Sequence, residues 1–328
     1  MKKRIITLIT TAIFISNIFI AGCIEQTKPP ISSLSIQKMI NNALDGETLY
    51  IKSGTYNENI IINKSITLIG EDKNTTIIKG EGGNVVFITA DNCILEGFTI
   101  NNIEKTEETS IGININANYT TIKNNKISSN NYGIVFDKSS KGNNVVDNNI
   151  SHNIYGLYLL TSSMNNITST NLFSNIDKGL YISRSNHTIV IGNNISNGKY
   201  GISMIFSENN TISNNDIYSN IQYGLYIGSE SNNNVIKLNM IFNNDLAIRI
   251  RDSFLNNITK NKIENNQEGV LTCCESKNNT LYKNIIKNNT DWNAEGNLNN
   301  KWDFKGFGND WADYSGVDSN NDNIGDTP

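Results

Sequence analysis

The chain is poor in charge, histidine and methionine, and each shortage excludes something. Only 18 % of its 328 residues are charged, against ~25 % in ordinary soluble domains, so a disordered polyelectrolyte is ruled out. The net charge of −4 argues against a nucleic-acid partner, because phosphate binding needs clustered Lys and Arg. Two His and five Met leave little material for an imidazole or thioether metal centre. Asparagine is the residue in excess, with 60 copies, about 18 % of the chain. The composition suits an extracellular β protein and names no reaction.

The amino terminus reads as an export signal. Lys2, Lys3 and Arg4 precede an apolar run from Ile5 to Ile20, which ends in Ile20-Ala21-Gly22-Cys23. A positive start, a short apolar segment and small residues before the cut describe a secretory signal. At ~16 residues the run is short for a stable membrane span. Ile-Ala-Gly-Cys resembles a lipoprotein box, which makes 1–22 a signal peptide and Cys23 a lipidation site; the alternative is an ordinary signal peptide with an incidental Cys. Residues 23–34, with Pro29-Pro30, then read as a flexible tether. The expected location is the outer face of the cytoplasmic membrane, at the cell surface or in the periplasm, with the membrane as a partner through the lipid.

Internal repeats set the fold. Glycine recurs at 112, 133, 156, 179, 201, 224 and 269, with Ala247 in the expected gap, at a mean spacing of about 22 residues. An alternating segment follows each one: Gly133-Ile-Val-Phe, Gly156-Leu-Tyr-Leu, Gly179-Leu-Tyr-Ile, Gly224-Leu-Tyr-Ile and Ala247-Ile-Arg-Ile. Period two over four residues is a half-buried strand. A second apolar column runs through Ile122, Val145, Ile167, Val190, Ile212, Ile236, Ile258 and Leu281; a third through Ile127, Ile150, Leu172, Ile195, Ile217, Ile241, Ile263 and Ile286. Three short strands per repeat make one triangular coil. The fold class is therefore all-β, a solenoid of stacked triangular coils.

Asparagine forms columns of its own: Asn143, Asn165, Asn210, Asn234, Asn256 and Asn279; Asn125, Asn148, Asn193, Asn215, Asn239, Asn261 and Asn284; and Asn130, Asn153, Asn175, Asn220, Asn244, Asn266 and Asn289. Asn tolerates the left-handed backbone that tight corners need. Stacked one coil apart, its amide can also bond to the Asn above and below. Many lie in Asn-x-Ser/Thr sequons, so glycan attachment is the functional alternative, but a feature repeated in nearly every coil is more economically structural.

Open strand edges at the ends of such a stack must be covered. Ser35 is followed by Ile36, Met39, Ile40, Ala43 and Leu44, an apolar stripe that predicts a capping helix over 35–45. The β-helix domain is placed at 35–290, with room for roughly 10–11 coils from Thr48 onward, about 50 Å at ~4.8 Å per rung. Residues 291–328 read as an aromatic and acidic cap, with Trp302, Trp311 and Tyr314 over the last coil.

The stretch Asp45-Gly-Glu-Thr-Leu-Tyr-Ile-Lys-Ser-Gly-Thr-Tyr-Asn-Glu-Asn-Ile, followed by Ser65-Ile-Thr-Leu-Ile-Gly-Glu-Asp, resembles the start of right-handed parallel β-helix proteins of the pectate-lyase-like superfamily, which implies a single-stranded right-handed parallel β-helix. Repeats such as Asn130-Asn-Tyr-Gly-Ile resemble parallel β-helix repeats. The end, Asn309-Asp-Trp-Ala-Asp-Tyr-Ser-Gly-Val-Asp-Ser-Asn-Asn-Asp-Asn-Ile-Gly-Asp-Thr-Pro, resembles the terminal cap of NosD-type proteins. That resemblance implies an exported β-helix, and the NosD type implies copper and the maturation of a metalloenzyme. It is specific for architecture, because one fold hosts many functions.

Several residues could carry a function. The residue two after each Gly faces outward, giving a column Asn114, Val135, Tyr158, Tyr181, Ser203, Tyr226, Arg249 and Leu271. Tyr158, Tyr181 and Tyr226 with Arg249 and Arg251 form a candidate ribbon for stacking on sugar rings; the structural alternative is that Tyr simply favours strands. The implied partner is a cell-surface glycan or a surface protein. For a polysaccharide lyase or hydrolase, Arg249-Ile-Arg251 is similar to the basic tripeptide of polygalacturonases, but Asn289-Thr-Asp291 follows it where an acidic motif should precede it. There is no adjacent Asp pair, no Gly-His-Gly and no Asp-Pro-His-Glu. Cys273-Cys274 is the one unusual thiol pair, able to bind soft metals such as copper or to oxidise. Cys93, Met164, Met204 and Met240 read as core. Asp318, Asn320, Asp322 and Asp326 place oxygen ligands at alternate positions, as calcium loops do, without the Gly and Glu placement of an EF-hand. The leading expectation is a lipid-anchored, non-catalytic carbohydrate- or surface-binding module.

Overall fold

The structure, a computed structural model, describes residues 35–102, 110–296 and 299–312. The signal segment, Cys23 and the tether lie outside them, as do Tyr314 and the four proposed calcium ligands. Within them the chain winds as a right-handed parallel β-solenoid of about 11 turns. Every third strand hydrogen-bonds to the next, building parallel sheets of 11, 12 and 11 strands. The first sheet runs from Thr48–Ile51 to Thr280–Tyr282 and the second from Gly54–Asn57 to Ile285–Lys287, closed by Asp310–Trp311. The third runs from Ile60–Ile62 to Trp292–Gly296.

The register is that of the apolar columns. Ile122 pairs with Val145 and Val145 with Ile167; Ile127 pairs with Ile150 and Ile150 with Leu172. Both columns are fully buried over their whole length. Each such side chain removed from water contributes about 1.5–3 kcal/mol, which is what lets three-residue strands persist. Of the three methionines read as core, only Met204 is buried. Met164 and Met240 are 57 % and 43 % exposed, because Met164 sits at a corner and Met240 is on the outward side of its strand.

The asparagine columns are buried hydrogen-bond ladders. Asn261 shows the pattern: its backbone N–H and its Nδ2 both donate to Asn284 Oδ1, at 2.9 and 3.0 Å, and its Nδ2 also donates to the Ile236 carbonyl at 2.9 Å. Its own Oδ1 accepts from Asn239 in the same way. The left-handed residue at each corner is the one before the ladder position, not the ladder Asn itself. In one column these are Asn124, Asp147, Ser169, Gly192, Asn214, Leu238, Lys260 and Lys283, with φ between 48 and 67°. Left-handed backbone at a non-Gly residue costs ~1–2 kcal/mol. The ladder that follows offsets this by satisfying the corner's backbone groups, so even Leu238 and Lys260 are tolerated. A serine column carries a further corner: Ser162, Ser185, Ser207 and Ser231 donate backbone N–H groups to Ser185, Ser207, Ser231 and Ser253 Oγ at 3.0–3.3 Å.

The amino-terminal end is closed by the helix Ile36–Asn42, which buries Ile36 and Ile40. Ser35 Oγ accepts the Lys38 N–H at 3.2 Å, and Glu58 from the first coil accepts Ser35 Oγ–H at 2.6 Å and the Ile36 N–H at 2.7 Å. A carboxylate at this positive helix end is favourable. The helix stops at Asn42 and Ala43 is extended, so Leu44 leaves the predicted stripe and is 76 % exposed. At the other end Trp302 and Trp311 pack on the core with ring centroids 5.6 Å apart. Asn309 there takes the next ladder position, accepting from Asn284 at 2.9 Å.

Candidate binding surface on the third sheet

The glycine column shapes the outer face of the third sheet. A β-carbon on Gly156 would lie 2.5 Å from the Gly179 carbonyl oxygen, and one on Gly133 would lie 2.4 Å from that of Gly156. The backbones of successive coils meet there with no room for a side chain, and the pairing steps over the glycine, from Tyr132↔Tyr155 to Ile134↔Leu157. Two consecutive inward residues result, so the period-two phase shifts by one, as at a bulge. The residue before each glycine therefore faces outward along with the residue two after it.

Two parallel rows follow. The first is Tyr132, Tyr155, Lys178, Tyr200 and Tyr223; the second is Tyr158, Tyr181, Ser203, Tyr226 and Arg249. The predicted Tyr158, Tyr181, Tyr226 and Arg249 share this face, with Arg251 at its margin. Sequence reading missed Tyr132, Tyr155, Tyr200 and Tyr223. Their signal is a Tyr-Gly dipeptide recurring at 132, 155, 200 and 223.

The rings are half-buried, not freely exposed. Tyr132 stacks on Tyr155 at 5.0 Å and 8°, and Tyr158 on Tyr181 at 4.9 Å and 12°, with cross-row contacts of 5.9–6.2 Å. Much of each ring face is thus occupied by another ring. Lys178 Nζ lies 4.9–5.1 Å from the ring centres of Tyr155, Tyr181 and Tyr200 and pairs with Asp177 at 2.6 Å. Beyond it, Tyr200 meets Tyr223 edge-on at 5.1 Å, and Tyr223 stacks on Tyr226 at 5.7 Å. Ser203, buried between Tyr181 and Tyr226, divides the second row into two aromatic groups. Burial raises the phenol pKa of Tyr155, Tyr158, Tyr181, Tyr200 and Tyr226, and a hydrogen bond to Asp177 raises that of Tyr155 further. These hydroxyls stay protonated and able to donate above the ordinary tyrosine range.

Charge enters at the carboxy-terminal end of the face. Arg249 Nη1 donates to the Tyr223 hydroxyl at 2.5 Å, and Nη2 lies 3.8 Å from Cys273 Sγ. Arg251 pairs with Asp252 at 3.0 Å. Cys274 is exposed, Cys273 is half-buried, and their sulfurs are 3.2 Å apart. Glu268, one coil beyond, has its carboxyl pKa raised by burial and by repulsion from Asp245, Asp291 and Glu295, with Arg249 opposing.

Among the described residues, no three His, Cys, Asp or Glu side chains converge as a metal centre. His152 and His187 are exposed at separate corners. The two sulfurs of Cys273 and Cys274 are the soft donors brought together, and the Arg249 cation stands beside them. Two adjacent thiols are soft donors of the kind Cu(I) takes, with no third His, Cys, Asp or Glu beside them among the described residues.

The architecture is that of a right-handed parallel β-helix. The chain belongs to the NosD family, described as periplasmic copper-binding protein, whose profile matches residues 40–222 and 156–316. Solved structures agree on the fold. The Dettilon tailspike protein is similar at 16 % identity and a TM-score of 0.64, over 78 % of this chain and 60 % of the tailspike, so the chain spans less than two thirds of that protein. The A-module of the Azotobacter vinelandii mannuronan C-5 epimerase AlgE6 gives 16 % identity and 0.60 over 78 % and 80 %. An alginate lyase from Paenibacillus sp. str. FPU-7 gives 14 % and 0.58 over 81 % and 95 %. No curated protein matches the sequence. No helix among the described residues is long and apolar enough to cross a membrane.

Proposed function

We propose that the chain is an exported surface protein, held at the membrane through a lipid on Cys23, whose third-sheet face binds a carbohydrate polymer without transforming it. The observation that carries this reading is the double row of seven tyrosines, regular at one rung per coil, on one face of an otherwise Asn- and Thr-rich solenoid. Half-buried rings offer apolar surface, protonated phenols offer donors, and Lys178 and Arg249 add cations within the same rows. The periplasmic family and the polysaccharide-acting proteins with which the fold is shared support the setting and the ligand class. The test is retention of the chain on immobilised neutral and acidic polysaccharides. Retention should be lost in the double variant Tyr158→Ala/Tyr181→Ala; no retention by the wild type on any polymer, or equal retention by the variant, would refute the proposal.

A copper-handling role is the second reading, favoured by the family description. It would use Cys273 and Cys274 transiently. Stoichiometric Cu(I) retention that is lost in Cys273→Ser/Cys274→Ser would favour it, and no Cu(I) retention by the wild type would remove it. The acidic tail, with Asp318, Asn320, Asp322 and Asp326, is proposed to take calcium, which should raise the melting temperature reversibly against a chelator.

A further inference from the structure

We propose that Cys273 and Cys274 are a dithiol–disulfide couple that exchanges with low-molecular-weight disulfides and sets the charge beside Arg249. The inference does not depend on carbohydrate binding. Cys273 ends the strand Glu268–Cys273, paired in register with Arg251 of the preceding coil, and is half-buried. Cys274 turns outward with a left-handed φ of 62° and is exposed. A sulfur separation of 3.2 Å puts each thiol within reach of the other. Burial raises the Cys273 thiol pKa, and Arg249 Nη2, 3.8 Å from its Sγ, opposes that rise and places a cation beside the sulfur.

The two positions divide the chemistry. The exposed Cys274 thiolate attacks an external disulfide and expels one small thiolate, leaving a mixed disulfide. Cys273, held beside the guanidinium, then attacks the Cys274 sulfur and expels the second. The protein pair loses two electrons and two protons, and one external disulfide becomes two thiols. The product sulfur beside Arg249 can no longer carry negative charge, so the oxidation state decides whether a potential anion lies next to Nη2 of the guanidinium. Cys93 takes no part, because it is buried and its Sγ donates to the Lys64 and Ala90 carbonyls at 3.2 and 3.1 Å.

The test is incubation of the full-length protein with oxidised glutathione, followed by peptide mass mapping. In the wild type, the peptide holding both cysteines should lose two hydrogens and carry no glutathione. Cys273→Ser should hold a persistent glutathione on Cys274, with unchanged far-UV circular dichroism to show that the coil is intact. Cys274→Ser should react much more slowly. Two retained thiols in the wild type, glutathione on both cysteines, or no adduct in Cys273→Ser would overturn the proposal.

Discussion

The outward faces of this solenoid are built on one backbone with one kind of interior, yet they carry different surfaces. On the first sheet, the outward residues of successive strands include Thr121, Asn144, Asn166, Thr211 and Asn257, with Lys123 and Lys237 among them. Asn166 Nδ2 donates to Asn144 Oδ1 at 3.0 Å, a small half-buried ladder. On the third sheet, equivalent rungs carry Tyr132, Tyr155, Tyr158, Tyr181, Tyr200, Tyr223 and Tyr226. Strand stacking demands only the inward columns and the corner ladders, and both are present on every side. The aromatic rows are therefore surplus to the fold, and that surplus is the strongest reason to assign them a partner.

The difference can be broken at its base first. Gly156→Val forces a branched side chain against the Gly179 carbonyl and should cost at least ~3 kcal/mol, removing the cooperative thermal transition or lowering its midpoint sharply. Asn239→Ala leaves the Asn215 N–H and the Ile212 carbonyl without their partners, for a loss of about 1–3 kcal/mol in denaturant unfolding, while the tyrosine face should keep its ligand. Tyr158→Ala/Tyr181→Ala reverses that profile, with polymer affinity falling by about 10-fold or more and only a modest change in stability. The smallest effect is expected at Asn166→Ala on the first sheet, within ~0.5 kcal/mol and with no change in binding.

Alkali sharpens the same contrast. Burial raises the phenol pKa of Tyr158, Tyr181 and Tyr226 above their ordinary value of 10.0. A raised folded value means that the stability these groups contribute is complete below pH 10 and is lost as pH climbs through the folded pKa. A spectrophotometric phenol titration should show a late-ionising group of tyrosines in the native protein that merges with the rest on unfolding. A single uniform titration of all 13 tyrosines would contradict the packing of the two rows.

The fold was legible because a solenoid writes its contacts as a period. Residues about 22 apart in the chain are neighbours one rung apart, so the Ile127 and Ile122 columns could be read directly. The ladder role of Asn was legible for the same reason, but the corner conformation was not. The left-handed site precedes the ladder residue, and its occupants at Leu238 and Lys283 carry no compositional mark. The site was half legible. Strict alternation counted from the glycine finds Tyr158 and hides Tyr155, since nothing in a period-two count announces that the pairing skips Gly156. The proximity of Arg249, Tyr223 and Cys273 joins three successive coils and is visible only once the register is fixed.

The face assignment is tested most directly by a tyrosine-labelling footprint, iodination read by peptide mass mapping with and without a polymer that the protein retains. Tyr50 and Tyr119, which are 70 % and 58 % exposed and lie outside the two rows, serve as internal references. The assignment requires protection of Tyr132, Tyr155, Tyr158, Tyr181, Tyr200, Tyr223 and Tyr226 with Tyr50 and Tyr119 labelled as before. Protection of Tyr50 and Tyr119 to the same extent, or no protection in the two rows, would contradict it.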